Sequence, residues 1–190
     1  LCAYDIGMTE LIAPTASLQE SWLDALQDWG TTDQDGASVF LAERHGWDLR
    51  RAEDFARWVK LLQDLALPGF SPPEGFVRQT TLWVVEEEGY LGAVSLRHDL
   101  GTDYLAEVGG HIGYGIRPSE RGKGYGTAQL ALVLEKAREL GLPRVMISCD
   151  RDNLASARVA EKNGARLEWE GYDEEDGWIR IYWIELPQGR

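Results

Sequence analysis

A chain of 190 residues is long enough to bury a hydrophobic core without disulfide or metal staples. Hydrophobic residues make up 44% of it and charged residues 27%, which excludes a disordered or fibrous protein. Acidic residues outnumber basic ones by 32 to 19, and the resulting net charge of −13 argues against nucleic acid or anionic lipid as a partner and favours a cationic substrate.

The two cysteines, Cys2 and Cys149, show no spacing that a zinc site or a disulfide framework requires. No apolar run reaches the roughly 18 residues of a membrane span. The start of the chain, residues 1–5, lacks the basic flank and apolar core of a secretory signal. We therefore expect a cytoplasmic protein with reduced thiols, no metal and no membrane contact.

Residues before position 80 show a helical pattern. Ser17 and Glu20 have the spacing of a capping box, which predicts a helix over Ser17–Trp29. Apolar residues at intervals of three and four predict a second helix over Leu49–Leu67, ending before Pro68. The Pro- and Gly-rich residues 68–75 predict a connecting loop.

From Thr80 the hydrophobic period changes to two. This pattern predicts an antiparallel hairpin of Thr81–Val85 and Tyr90–Leu96, turning at residues 86–89. His111–Ile116 follows as a third strand, in which glycine marks a bulge or the close approach of a ligand.

The second half of the chain alternates helices and strands. Periodicity and stop signals at Gly141 and Gly164 define the helices, and a turn over residues 171–177 defines a closing hairpin. The predicted elements are a helix at Thr127–Leu140, a strand at Val145–Cys149, a helix at Leu154–Asn163 and strands at Leu167–Glu170 and Trp178–Glu185. This order predicts an α/β fold with helices on both faces of a mixed, mostly antiparallel sheet, in a single domain over residues 1–190.

A glycine-rich turn, residues 121–127, connects the third strand to the helix that follows. Its glycines let the backbone approach a phosphate, and the start of the helix presents free amides and a partial positive charge. Arg121 and Lys123 add full charges. The spacing G-x-G-x-G, with Gly after Lys123, matches neither a P-loop nor a dinucleotide fold nor a kinase loop. The turn is therefore predicted to bind an anion in another way.

The segment Arg121-Gly122-Lys123-Gly124-Tyr125-Gly126 matches the pattern [RQ]-x-x-G-x-[GA] of the GNAT acetyltransferase superfamily. Together with Cys149–Ser156 and Glu161–Gly164, it makes residues 80–185 resemble that superfamily. The resemblance implies a GNAT fold with a splayed cofactor cleft and an N-acetyltransferase activity. It also implies acetyl-coenzyme A as cosubstrate and a primary amine of a small molecule or protein N-terminus as acceptor.

The resemblance also assigns residues to the cofactor. The amides of the glycine-rich turn would hold the coenzyme A pyrophosphate, and the pantetheine arm would pair with the preceding strand where it is splayed at a bulge. Asn153 and Ser156 would contact the cofactor from the next helix, although Asn153 is equally favoured as that helix's N-cap. The expected cofactor-binding residues are Tyr114, Gly115, Ile116, Arg121, Gly122, Lys123, Gly124, Tyr125, Gly126, Thr127, Asn153 and Ser156.

An amine that attacks a thioester must first lose a proton, which calls for a general base. Glu107 and His111 are the candidates, with Glu107 preferred, because they lie just before or on the strand expected beneath the thioester. A solvated carboxylate and a hydrogen-bonded strand histidine remain the alternatives. The family's Tyr that protonates the thiolate is Ala160 here, which leaves the general acid open. It also keeps open a non-catalytic acyl-coenzyme A sensor or interaction module.

The acceptor is expected between the N-terminal helices, about 17–67, and the closing hairpin, with residues 80–185 forming the core. The acidic run over residues 173–176 in that hairpin favours a cation, although such runs are usually solvated turns. The strand edge that such folds leave exposed makes a homodimer an open alternative.

Overall fold

The computed structural model describes residues 9–31, 34–87 and 89–187. Within these ranges the chain forms seven strands and five α-helices. The strands are β1 Thr9–Ile12, β2 Gln79–Glu86, β3 Gly89–Arg97, β4 Ile112–Ile116, β5 Arg144–Asp150, β6 Arg166–Asp173 and β7 Gly177–Glu185. The helices are α1 Gln19–Trp29, α2 Phe40–Arg44, α3 Ala52–Asp64, α4 Tyr125–Glu139 and α5 Leu154–Lys162. Cys2 and the start of the chain, used in the sequence analysis, lie outside the described residues.

The predicted helices and strands are confirmed, with two additions in the N-terminal part. The sequence pattern did not indicate β1, which pairs antiparallel with β2, or the five-residue helix α2. The predicted capping box at Ser17 was wrong. Thr15 instead caps a short 3-10 turn ahead of α1, its side chain accepting a hydrogen bond from the amide of Ser17 at 3.4 Å.

The strands form two sheets. The first has the order β1-β2-β3-β4 and the second the order β5-β7-β6, and every paired neighbour is antiparallel. Hydrogen bonds join the two sheets at His111, whose amide donates to the carbonyl of Met146 at 2.8 Å and whose Nδ1 accepts from the amide of Met146 at 3.0 Å. Beyond this junction β4 and β5 diverge, which opens a cleft between them.

Both faces of the first sheet are buried. Ala93 of β3 packs in a cluster with the fully buried indoles of Trp22, Trp58 and Trp83, beneath α1 and α3. The next residue, Val94, belongs to a second cluster that includes Leu130 of α4. The alternation of side chains along the strand thus places helices on the two opposite faces, as the sequence predicted.

The loop after α1 lies directly on the backbone of β3 and β4. A Cβ atom at Gly36 would come within 2.5 Å of the Ala93 carbonyl oxygen and 2.7 Å of that of Gly113, and its φ of +79° also favours glycine. A Cβ at Gly115 would lie 2.8 Å from the Asp35 carbonyl oxygen. The bulge expected at residues 114–116 is not in the β3–β4 pairing, whose register is unbroken. The strand glycines make room for this loop instead.

Candidate active site

A cavity of about 620 Å³ occupies the cleft between β4 and β5. Its walls are Ile112–Ile116 on one side and residues 148–150 on the other. The glycine-rich turn and the start of α5 close one end. Arg97, Tyr104 and Asp176 lie at the other end, which we call the inner end because it adjoins the junction of the two sheets.

The glycine-rich turn presents free amides to the cavity. Gly124 occupies the N-cap of α4 with a φ of +99°, and no side chain caps this helix. In the described part of the chain, the amides of residues 122–126 donate to no backbone or side-chain acceptor. Unpaired amides at a helix start, together with the helix dipole, form an anion site. The geometry of the turn therefore suits an anion, and binding of the pyrophosphate here stays a prediction.

The cations around this turn differ from those expected. Arg121 lines the cavity, and its Nε donates to the Ile116 carbonyl at 2.9 Å. Lys123 is not among the described lining residues and pairs at 2.7 Å with Glu120, which does line the cavity. Arg158 and Lys162 of α5 do line the cavity. Their spacing of four residues places them on one helix face, a signal that the sequence analysis did not use.

The edge of β4 supplies the long wall of the cavity. The amide of Arg117 donates to the carbonyl of Leu91 on β3 at 2.8 Å. Because bonded and unbonded residues alternate in an antiparallel pair, the amides and carbonyls of Tyr114 and Ile116 face the other way, into the cleft. Tyr114, Gly115 and Ile116 all line the cavity, as expected for a strand that offers its edge to an extended ligand.

Asn153 and Ser156 begin the opposite wall. The side chain of Asn153 caps α5, accepting from the amide of Ser156 at 3.0 Å, and both residues line the cavity. The Tyr114 hydroxyl donates to the carbonyl of Ser156 at 3.1 Å and lies 3.0 Å from its Oγ. Burial raises the pKa of Tyr114, while the hydrogen bond with Ser156 partly opposes that rise. A pair of hydroxyls thus spans the cleft.

Ala160 lies one turn further along α5 and is 1% exposed. It packs in the second hydrophobic cluster with Tyr182 and Val94. Cys149 lies beside the Tyr114 and Ser156 pair on the cavity wall as a free thiol. Burial raises the pKa of this thiol, and a hydrogen bond with Ser156 lowers it.

Neither Glu107 nor His111 is among the described residues that line the cavity. Glu107 lies exposed on a π-helical turn, Leu105–Gly109. His111 is 7% exposed and holds the two sheets together. Burial, then Arg97 and Arg144, lowers its pKa to about 4 against the effect of Asp99. Since Nδ1 accepts from Met146, Nε2 carries the proton of the neutral ring, and no free basic nitrogen remains.

The inner end contains polar side chains that no sequence motif indicated. Tyr104 is 50% exposed, and its hydroxyl lies 3.5 Å from Asp176 Oδ1, in the turn between β6 and β7. Arg97, the last residue of β3, donates through Nη1 to the carbonyls of Gly109 and Gly110 at 2.9 and 3.0 Å. Within the described ranges, no cluster of three His, Cys, Asp or Glu side chains has a metal-binding arrangement.

The site combines a turn of free amides, an open strand edge and a cleft between two diverging strands. This combination is typical of acyltransferases that use a nucleotide thioester. The sequence profile of the acetyltransferase (GNAT) domain matches residues 23–166, so the chain belongs to the GNAT acetyltransferase family. Comparison with curated proteins found no similar sequence. Among the described residues, no helix has the length and apolar character that crossing a membrane requires.

Solved structures of other acetyltransferases share this fold. The microcin C7 self-immunity acetyltransferase, in complex with acetyl-CoA and AMP, is 17% identical with a TM-score of 0.65, over 94% of this chain and 92% of its own. A ribosomal L7/L12 α-N-protein acetyltransferase, holding coenzyme A in a disulfide with a cysteine, is 19% identical with a TM-score of 0.64, over 94% of each chain. A spermidine N-acetyltransferase chimera that includes Vibrio cholerae sequence is 13% identical with a TM-score of 0.62, over 94% of this chain and 96% of its own.

Proposed function

We propose that this protein transfers an acetyl group from acetyl-coenzyme A to a primary amine by direct attack. The observation that carries the proposal is a continuous cavity with the free amides of residues 122–126 at one end and Asp176 at the other. The first end suits a diphosphate and the second an ammonium group. The edge of β4 between them suits the amides of a pantetheine arm.

The residues present fit coenzyme A in detail. The turn amides and the start of α4 would hold the pyrophosphate, and Arg158 and Lys162 would add charge from α5. The backbone of Tyr114 and Ile116 would pair with the pantetheine. Backbone donors along the same edge would also stabilise negative charge on the thioester oxygen during attack.

Asp176 is the residue that we assign to the ammonium proton. Both Asp176 and Glu107 are exposed, but only Asp176 lines the inner end of the cavity, where it lies within reach of Tyr104. The Asp176 carboxylate would accept the proton directly or through a water, and the neutral amine nitrogen would then attack the thioester carbon. This geometry favours Asp176 over both Glu107 and His111.

Asp176→Asn should lower kcat/KM by about a hundredfold, the usual range for a general base. Glu107→Gln is the matched control, because it neutralises an exposed carboxylate on the same side of the molecule and should leave kcat/KM nearly unchanged. Release of free thiol from acetyl-coenzyme A, followed with a panel of amines, measures both variants. A large loss in Glu107→Gln and none in Asp176→Asn would reverse the assignment.

The Ser156 hydroxyl takes the place of the missing family tyrosine. The Ser156 hydroxyl lies 3.0 Å from the Tyr114 hydroxyl on the cavity wall, and in the proposed reaction its proton would turn from Tyr114 to the sulfur as the carbon–sulfur bond breaks. Ser156→Ala should lower kcat by about tenfold or more while leaving the Kd for coenzyme A within about twofold. Equal loss of coenzyme A affinity and kcat would instead assign Ser156 to cofactor binding.

A non-catalytic sensor of acyl-coenzyme A is the second candidate, favoured by Ala160 at the family's acid position. Such a protein would bind coenzyme A in calorimetry yet release no thiol with any amine. Turnover that disappears in Asp176→Asn would exclude it.

We also propose how the rest of the chain serves this function. The loop at Asp35 lies against Gly115 and lines the cavity, so the N-terminal half would cover the acceptor. The edge strand β6 exposes Leu167 and Trp169, at 50% and 43%, which favours a homodimer through this edge and is testable by sedimentation. Cys149 as a free thiol is consistent with a cytoplasmic setting.

A further inference from the structure

Arg97, at the inner end of the cavity, has no acidic side chain paired with its guanidinium among the described residues. In the described part of the chain it forms no ion pair, and its hydrogen bonds go to two neutral carbonyls through Nη1 alone. Arg117 shows the contrast, because its guanidinium contacts the carboxylates of Asp24 and Asp28 at 2.8 and 3.0 Å. In a chain with a net charge of −13, an arginine that lines a cavity without a carboxylate partner calls for a ligand.

The diphosphate of the cofactor cannot be that ligand. Arg97 is bonded to His111 at the start of β4, since its amide donates to the His111 carbonyl at 2.8 Å. The glycine-rich turn follows Ile116 at the other end of β4. Ile116 follows His111 by five residues, and at about 3.4 Å per residue the two positions are roughly 17 Å apart. An anion at Arg97 must therefore belong to the acceptor.

The remaining N–H donors of Arg97 are placed to bind an oxyanion of the acceptor. With Nη1 engaged by Gly109 and Gly110, the guanidinium is held in place while Nη2 and Nε stay free for a ligand. Burial lowers the pKa of Arg97, and Tyr104 opposes that effect. An arginine stays protonated even so, and a partly desolvated guanidinium binds an oxyanion more strongly than an exposed one.

Arg97 and Asp176 flank the same end of the cavity with opposite charges. We propose that the acceptor carries an oxyanion, a carboxylate or phosphate, which Arg97 binds while the amine faces Asp176. The inference rests on the proposed acetyl transfer and narrows its acceptor to amino acids, acidic peptide termini or aminoalkyl phosphates. A polyamine fits poorly, because it would place positive charge against an unneutralised guanidinium.

The test measures binding of matched ligands to the coenzyme A-loaded protein by calorimetry, so that it does not depend on turnover. One arm compares ω-amino acids of increasing length with their amides, and a second compares phosphoethanolamine with ethanolamine. In at least one of these matched pairs, we expect the anionic member to bind about tenfold or more tightly than its neutral partner. A preference among the amino acids identifies the oxyanion as a carboxylate, and a preference for phosphoethanolamine identifies it as a phosphate. Equal binding within every pair, or tighter binding of spermidine, would overturn the inference.

Arg97→Gln should abolish the preference for the anionic member and leave the Kd for coenzyme A within about twofold. Because Arg97 also holds Gly109 and Gly110, Arg97→Lys serves as a second variant that keeps the charge and should retain part of the preference. Equal weakening of both members of a pair would assign Arg97 a structural role alone. Absence of acetyl transfer to any amine would refute the proposed function, whereas the ligand preference is measured separately from it.

Discussion

His111 joins the two sheets at the origin of the cleft, so its replacement tests how the cleft is held. Its Nδ1 accepts from the Met146 amide at 3.0 Å, and its ring lies 6.1 Å from that of Trp183 in an edge-to-face contact. His111→Ala removes both interactions. His111→Asn is the matched variant, because Asn Oδ1 stands where Nδ1 does and keeps an acceptor for Met146 while it cannot titrate.

The expected losses follow from these contacts. A buried amide left without a partner costs about 1–3 kcal/mol, and a lost aromatic pair about 0.5–1.5 kcal/mol. His111→Ala should therefore lower the free energy of unfolding at pH 7.5 by about 2–4 kcal/mol, and His111→Asn by about 1 kcal/mol.

The pH dependence provides the sharper measurement. The pKa of His111 is lowered from 6.5 to about 4, chiefly by burial, so the unfolded chain binds the proton more readily between these pH values. The stabilisation is complete above pH 6.5 and is lost as the pH falls toward 4. One pKa unit corresponds to about 1.4 kcal/mol, and partial access of water to the ring reduces the total to about 2 kcal/mol.

Urea denaturation at pH 7.5 and pH 4.5 should show the wild type losing about 2 kcal/mol more than His111→Asn over this interval. Both proteins share the titration of their carboxylates, so the difference between them isolates the imidazole. A difference that stays constant from pH 7.5 to pH 4.5 would refute the assignment of His111 as a neutral, buried connector.

Two glycine substitutions test the turn and the loop that frame the cavity. Gly124→Ala and Gly141→Ala each place Ala at a positive φ, at the two ends of α4, and each costs about 1–2 kcal/mol of strain. Only Gly124→Ala should weaken the binding of coenzyme A, by about tenfold as measured by calorimetry. Equal affinities in the two variants would contradict the role of the turn. Gly36→Ala should lower the free energy of unfolding by about 1–3 kcal/mol more than Gly46→Ala, whose added Cβ meets nothing within 4 Å. Similar urea midpoints for the two variants would show that the loop does not pack tightly against the backbone of β3 and β4.

The elements with strong local signals were predictable from sequence. The alternation along β3 and the glycine-rich turn ahead of α4 report their structure through neighbouring residues, because period and turn chemistry are local properties. By contrast, β1 has four residues and is stabilised by pairing with β2, far along the chain. A strand of this length has no period that sequence alone can reveal.

The inner end of the cavity was not predictable for a related reason. Arg97, Tyr104 and Asp176 come from the end of β3, a loop and the β6–β7 turn, and only the folded sheet brings them together. Glu107 looked favourable because it precedes β4. However, the π-helical turn that carries it rotates the carboxylate out to solvent while directing Val108 and Gly109 to the cavity. A single irregular turn thus decides which side chain reaches the site.

The departure at Ala160 is understandable from the packing of α5. Ser156 and Ala160 lie four residues apart on one helix face, so Ala160 fills a place in the core while Ser156 meets the cavity one turn earlier. The Tyr114 hydroxyl crosses from β4 to the same point and fixes the Ser156 side chain by hydrogen bonding. In the proposed reaction, a hydroxyl held from the opposite wall would bring an O–H donor to the sulfur, as a tyrosine on the helix would. We therefore expect the proposed transfer to depend on a donor at this place in the cleft rather than on a particular residue at position 160.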